Sequence, residues 1–220
     1  MLLLQIAQSI VIVLIVFGVL VLFGFIAMIF RWYKKVPQGK AIIATGFRNT
    51  RVAFENGLFV IPVLEMYEEM DLSIKTIEIV RMKQDGLICK DNIRADIKVV
   101  FFVRINKDIG DIKNVAQAIG CARASDPITL RELFEAKFSE AIKTVGKRFD
   151  FVELYDNRVS FKNEIQHVIG EDLNGYKLDD CSIDYLEQTD LTYLKEDNIL
   201  DAEGIKKITE LTAQQKVKAN

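Results

Sequence analysis

Residues 93–105 read IRADIKVVFFVRI. The odd positions carry Ile93, Ala95, Ile97, Val99, Phe101, Val103 and Ile105, all apolar; the even positions carry Arg94, Asp96, Lys98, Val100, Phe102 and Arg104. Successive side chains of a strand point to opposite faces, so a period of two sustained over this length predicts one long strand with its odd face in a core. Val100 and Phe102 interrupt the polar face. Part of that face is therefore covered as well, either by a helix of the same domain or by a neighbouring copy of the chain.

On the N-terminal side of this strand the pattern is short strands and turns. Ala41–Thr45 and Leu58–Leu64 are apolar runs, the second preceded by the turn dipeptide Asn56-Gly57. Ile74–Val80 alternates weakly, and Asp85-Gly86 and Lys90-Asp91-Asn92 place turns around Leu87–Cys89. After Gly110 the period lengthens. Asp126-Pro127 and a Thr129-x-x-Glu132 capping box announce a helix whose stripe is Leu130, Leu133, Phe134, Phe138, Ala141, Ile142, Val145 and Phe149. A second helix runs from about Tyr155 to Leu173 on the face Phe161, Ile165, Val168, Ile169 and Leu173, with Asn174-Gly175 as its stop. Cys181, Ile183 and Tyr185 then alternate with Ser182, Asp184 and Leu186 as a closing strand. The expected fold class is α+β: antiparallel strands first, then two amphipathic helices and a strand.

The last segment, from about Tyr193 to Asn220, reads as a mostly polar helix with one apolar seam, Ile205, Ile208 and Leu211 or Thr212. Such a helix is a poor core element and a fitting start of a coiled coil. Its polar Thr212 and Gln215 weaken the seam, so isolated pairing is expected to be weak. It ends in QQKVKAN without a cap, and the chain is expected to be the N-terminal part of a longer one.

At the other end, residues 10–30 read IVIVLIVFGVLVLFGFIAMIF, without one charged, amide or hydroxyl side chain. A helix of that length rises about 31 Å, the thickness of a bilayer's hydrocarbon core. A cleaved signal peptide is not expected: no basic residue precedes the run, and Ala27 with Phe25 two places before it makes a poor cleavage site. The following RWYKKVPQGK carries Arg31, Lys34, Lys35 and Lys40 and no acid, whereas the N-terminal side carries no charged side chain. The excess of basic residues places the C-terminal side in the cytoplasm and the N-terminus outside. Arg31, Trp32, Tyr33, Lys34 and Lys35 are the expected membrane-interface residues.

The 29 basic and 31 acidic residues all lie beyond residue 30, so the rest of the chain is well solvated and nearly neutral. It offers no basic field for nucleic acid. Gly39-Lys40 and Gly146-Lys147 lack the other residues of a phosphate-binding loop, and HExxH, GxSxG and GxGxxG are absent. Cys89, Cys121 and Cys181 are odd in number and widely spaced, which suits free thiols in a reducing compartment. Glu65, Glu68, Glu69 and Asp71 read as a solvated loop or salt-bridging rim, Asp179-Asp180 as turn chemistry, and His167 as a structural histidine. No catalytic residue, metal site or cofactor is expected.

A single N-terminal span followed by VPQGKAIIATG, NGLFVIPVL, DGLICKDNIRADIKVVFFVRI and a helix pair closing in NGYKLDDCSIDYL resembles the SPFH superfamily of stomatin, prohibitin, flotillin and HflK/C. Within it the chain is most similar to bacterial flotillin-like inner-membrane proteins of the YqiK type, and LDAEGIKKITELTAQQ resembles their junction into a long coiled coil. The resemblance divides the chain into an anchor (1–30), a strand-rich first half of the SPFH or band 7 domain (31–120), a helical second half (121–192) and the start of a coiled-coil helix (193–220). It implies a non-enzymatic scaffold. Such a scaffold oligomerises on the cytoplasmic face and organises lipid microdomains, or rafts, and client membrane proteins, with an NfeD-like membrane protein as a further partner. The alternative it implies is a stomatin- or HflK/C-like regulator of a membrane protease, with its domain in the other compartment. Animal flotillins attach through acylated cysteines; here the nearest cysteine, Cys89, is far from the span, and the apolar helix takes that role.

Overall fold

A computed structural model describes residues 2–46, 49–170 and 173–219, with side chains of the first helix described from Ile12 onward. The chain forms two compact units that divide between Met70 and Asp71.

The first unit opens with α1 (Leu2–Trp32) and continues through β1 (Tyr33–Lys34), β2 (Lys40–Gly46), β3 (Arg51–Ala53), β4 (Leu58–Phe59) and β5 (Glu65–Asp71). β1 pairs with β4, and β2 lies between β3 and β5. Ala41, Ile42, Ile43 and Ala44 are all buried, so β2 is covered on both faces. The expected strand Leu58–Leu64 stops at Phe59. Pro62 has no N–H for a ladder, and the backbone instead turns, with the amides of Leu64 and Glu65 donating to the Ile61 carbonyl at 3.0 and 2.9 Å. The acidic run, read as a loop or rim, is the strand β5. Its carboxylates are neutralised across the unit, Glu65 by Arg51 at 2.6 Å and Glu69 by Lys40 at 2.9 Å.

The second unit contains β6 (Lys75–Arg81), β7 (Leu87–Ile88), β8 (Arg94–Ile105), α2 (Ile109–Ala118), α3 (Pro127–Gly146), α4 (Phe151–Asp156), α5 (Arg158–Ile169), β9 (Tyr176–Gln188) and α6 (Ile199–Ala219). β8 is the strand predicted from its period of two. It pairs antiparallel with β9 along its whole length, and with β6 and β7 on its other edge. Ala95, Ile97, Val99, Phe101, Val103 and Ile105 are buried, and the Phe101 ring stacks on Phe138 of α3 with centroids 4.4 Å apart. Phe134 extends that aromatic stack from Phe138 to the edge of Tyr176 on β9. On the even face Val100 and Phe102 are half-buried, opposite Glu78 and Thr76 on β6 and Ser182 and Asp180 on β9.

β9 corrects the sequence reading. Its inward residues are Tyr176, Leu178, Cys181, Ile183 and Leu186, spaced two, three, two and three apart, because the register slips by one residue opposite Phe102/Val103 and again opposite Lys98/Val99. Each bulge inserts an extra residue and reverses the phase beyond it. Leu186 therefore points into the core and Tyr185 is 37 % exposed, the reverse of plain alternation. The inserted residues are Asp179 and Asp184, and their carboxylates meet the cations of the even face: Asp179 bonds Arg104 at 2.7 Å and Asp184 bonds Lys98 at 3.1 Å. Asp179 is thus an ion-pair partner within a strand rather than turn chemistry.

Four further readings change. The cap of α3 is Asp126, whose carboxylate accepts from the Thr129 amide at 2.9 Å, so the box beginning at Thr129 does not form. Leu133 on that helix is 46 % exposed. The single helix expected over 155–173 is two, α4 and α5, and α5 is capped by Gly170 at φ +78°. Residues 171–172 of that expected helix lie outside the described residues. Asn174 and Gly175, both at positive φ, form a tight turn in which Leu173 and Tyr176 bond reciprocally at 3.3 Å. The short α2, capped by Asp108 through the Gly110 and Asp111 amides, was not anticipated.

Val99 is fully buried, whereas Lys98 beside it reaches Glu78 and Asp184 at the surface. Val99→Asp is expected to destabilise the protein by about 3 kcal/mol, the cost of an unpaired buried carboxylate, and Lys98→Ala by about 1 kcal/mol or less. Thermal melts of the detergent-solubilised variants check the difference.

Candidate membrane interface

Every described residue of α1 from Ile12 to Phe30 is exposed, and the helix has a mean hydropathy of 3.2 over a stretch long enough to cross a bilayer. An apolar surface of this kind finds no favourable solvent in water, while its backbone polar groups are satisfied within the helix.

The end of the helix is tied to the strands that follow. The Trp32 carbonyl accepts from the Val60 amide at 2.9 Å, and Tyr33 and Lys34 stand opposite Phe59 and Leu58. The Tyr33 ring lies 5.0 Å from the Phe59 ring and directly over Gly57, where a Cβ would displace the outer edge of the ring. Lys34 places its ammonium 5.1 Å from the centroid of Tyr67. Of the expected interface residues, Arg31, Tyr33 and Lys35 are exposed, and Trp32 and Lys34 are half-buried.

The same ladder presents a feature the sequence reading took for a strand. Residues 59–64 form an apolar tip in which Phe59, Ile61, Val63 and Leu64 are exposed, Val63 by 92 %. Beneath it a buried carboxylate, Glu65, accepts the Arg51 guanidinium through both oxygens and the Ile61 amide at 3.2 Å, while Arg51 also donates to the Phe59 carbonyl at 3.0 Å. This ion pair fixes the base of the tip. Pro62 inside an apolar run was the sequence signal for it.

In the second unit the proposed seam of α6 is divided. Ile208 is buried, Ile205 half-buried and Thr212 exposed, as are the described residues beyond it. Asp201, Gly204 and Ile208 form an inward stripe. The Asp201 carboxylate bonds the buried Arg94 of β8 at 2.7 Å, and Gly204 is so close to the Asn92 carbonyl that no side chain fits. The first turns of α6 therefore belong to the domain. Cys89 and Cys181 are buried, and burial pushes their thiols up to about 12 and about 11, the opposite of an activated nucleophile. His167 is exposed on α5. Among the described residues no cluster of His, Cys, Asp and Glu suits a metal ion.

An apolar anchor, a tip of apolar side chains bonded to its end, and an α+β domain leading into a helix define a membrane-tethered module. Residues 34–219 match the model of the SPFH domain / Band 7 family, and the chain belongs to that family. It is similar to the flotillin family inner membrane protein YqiK of Escherichia coli, 31 % identical over 192 residues that cover 86 % of this chain and 34 % of that protein. It is also similar to the flotillin family inner membrane protein sll1021 of Synechocystis, 27 % identical over 185 residues that cover 82 % of this chain and 27 % of the relative. The chain spans about a third or less of the length of these relatives.

Burial raises the Asp201 carboxyl, but its hydrogen bonds from Arg94 and the Lys195 amide outweigh this and hold it below the usual value of 3.8. Asp71 is likewise lowered to about 2: burial raises it, and its bonds from Lys75 and the Ser73 amide prevail. A carboxylate with a depressed folded pKa contributes stability above its unfolded pKa and loses it as pH falls through the folded value. Stability is expected to fall from about pH 4 toward pH 2. Asp201→Asn, which leaves Arg94 buried without its counter-charge, should cost about 3 kcal/mol at neutral pH and flatten that acid limb in denaturant titrations.

Proposed function

We propose that this chain is the anchored head of a flotillin-type membrane scaffold. In this reading α1 spans the membrane with its N-terminus outside, and Arg31, Lys34 and Lys35 hold its other end among the headgroups of the cytoplasmic leaflet. The apolar tip 59–64 enters the headgroup and acyl boundary beside that end, a second attachment that adds to the span. The observation that carries this reading is the hydrogen-bonded ladder joining Trp32–Lys34 to Leu58–Val60, which joins an exposed apolar tip to the end of an apolar helix.

The reading assigns no turnover to the chain. It is supported by the match to the SPFH domain / Band 7 family and by two relatives named as flotillin family inner membrane proteins. Homo-oligomers, lipid microdomains, client membrane proteins and an NfeD-like partner belong to the scaffold role. α6, whose described residues from Thr212 onward are exposed, is the start of the helix through which copies associate, and pairing through this segment alone is weak.

A nitroxide placed by Val63→Cys in the chain reconstituted into phosphatidylcholine–phosphatidylglycerol bilayers reads the immersion of the tip. Collisions with oxygen should exceed those with a water-soluble nickel chelate at position 63, and the order should reverse at Glu68→Cys. Equal access of the nickel chelate to both positions contradicts a tip seated in the bilayer.

A further inference from the structure

Within the second unit, a cleft of about 250 Å³ opens between β6, the turn at 83–86, β7 and α3. Its charged lining is one-sided: Arg81, Arg94, Lys143 and Lys147 face a single carboxylate, Asp85. The charge of Arg94 is met by Asp201 at 2.7 Å, and its other nitrogen donates to the Gln84 and Gly86 carbonyls, so it contributes no free charge to the cleft. The remaining cations differ. Lys147 donates only to neutral oxygens, the Cys89 carbonyl at 3.3 Å and the Asn92 side chain at 3.2 Å. Among the described residues neither Lys143 nor Arg81 enters an ion pair. Arg81, Lys143 and Lys147 against Asp85 leave the lining itself with an excess of positive charge, with Asp91 and Asp150 acting on the same Cys89 thiol as Lys147.

An anion offering two negative charges and several acceptor oxygens matches a lining with an excess of cations, and phosphate monoesters carry about −1.5 to −2 at neutral pH. Arg81 supplies a planar fork, Lys143 and Lys147 compact charges that swing onto the remaining oxygens. The aliphatic walls of Leu87 and Ile88 accept a small organic substituent. The volume lies below the range of roughly 300–1,000 Å³ typical of pockets for drug-sized ligands, which suits one phosphate group with a short substituent.

We propose that this cleft is a binding site for a phosphate group, with Arg81, Lys143 and Lys147 as its ligating residues. The source is either a free phosphate compound or a phospholipid headgroup. Titration calorimetry on the full chain in neutral detergent tests it with two probes, inorganic phosphate and dihexanoyl phosphatidic acid. Saturable binding of at least one probe is expected, weakened about tenfold or more by Arg81→Gln and by Lys143→Glu, an exposed position on α3, and unchanged by Lys137→Glu, exposed elsewhere on the same helix. Tighter binding of the lipid identifies a headgroup source, and equal or tighter binding of inorganic phosphate a free one. Absence of saturable binding for both probes, or binding indifferent to Arg81→Gln and Lys143→Glu, overturns the proposal.

Discussion

Burial of the odd face of β8 is the constraint on which the second unit depends. Three strands pair with it, Phe138 stacks on its Phe101, and at its first residue Arg94 holds α6 through Asp201. A strand with one face sealed tolerates no register error, because a slip by one residue exchanges Val99 for Lys98. β9 has to follow that register over a long pairing, and it does so with two bulges. The inserted Asp179 and Asp184 are then spent on Arg104 and Lys98, so the same irregularities that keep Leu186 in the core also neutralise the outer face.

Where burial alone writes the pattern, the fold was legible. β8 and the stripe of α3 announce themselves because one face of each is sealed by the other, and α1 because nothing covers it at all. Where electrostatics or backbone geometry decide, it was not. β5 is a strand made of glutamates, residues that are depleted in strands, held by Arg51 and Lys40 from distant positions. β9 reads as plain alternation until its partner's register is known. At α3 the sequence offered Asp126 and Thr129 as neighbouring caps, and only the bond from the Thr129 amide to Asp126 separates them.

The interface was half legible. Residues 31–35 read directly as the basic and aromatic end of the apolar run, whereas the tip at 59–64 was hidden inside an apolar run that resembles a strand, with Pro62 as its one signal. The seam of α6 shows the converse. Its periodicity is present, yet a period does not name its partner, and Ile208 is buried within the chain alongside Asp201 and Gly204. An ion pair between β8 and α6 thus fixes how the helix leaves the domain.

We propose above all that one apolar helix holds the SPFH domain on the cytoplasmic face. Single cysteines at Leu3, in the first turn of α1, and at Gln38, beyond its other end, read this directly when intact cells are treated with a membrane-impermeant maleimide; Cys89, Cys121 and Cys181 are buried. The account predicts that Leu3→Cys is labelled from outside and that Gln38→Cys is labelled only after permeabilisation. Labelling of Gln38→Cys in intact cells would contradict it and place the domain on the opposite side of the membrane.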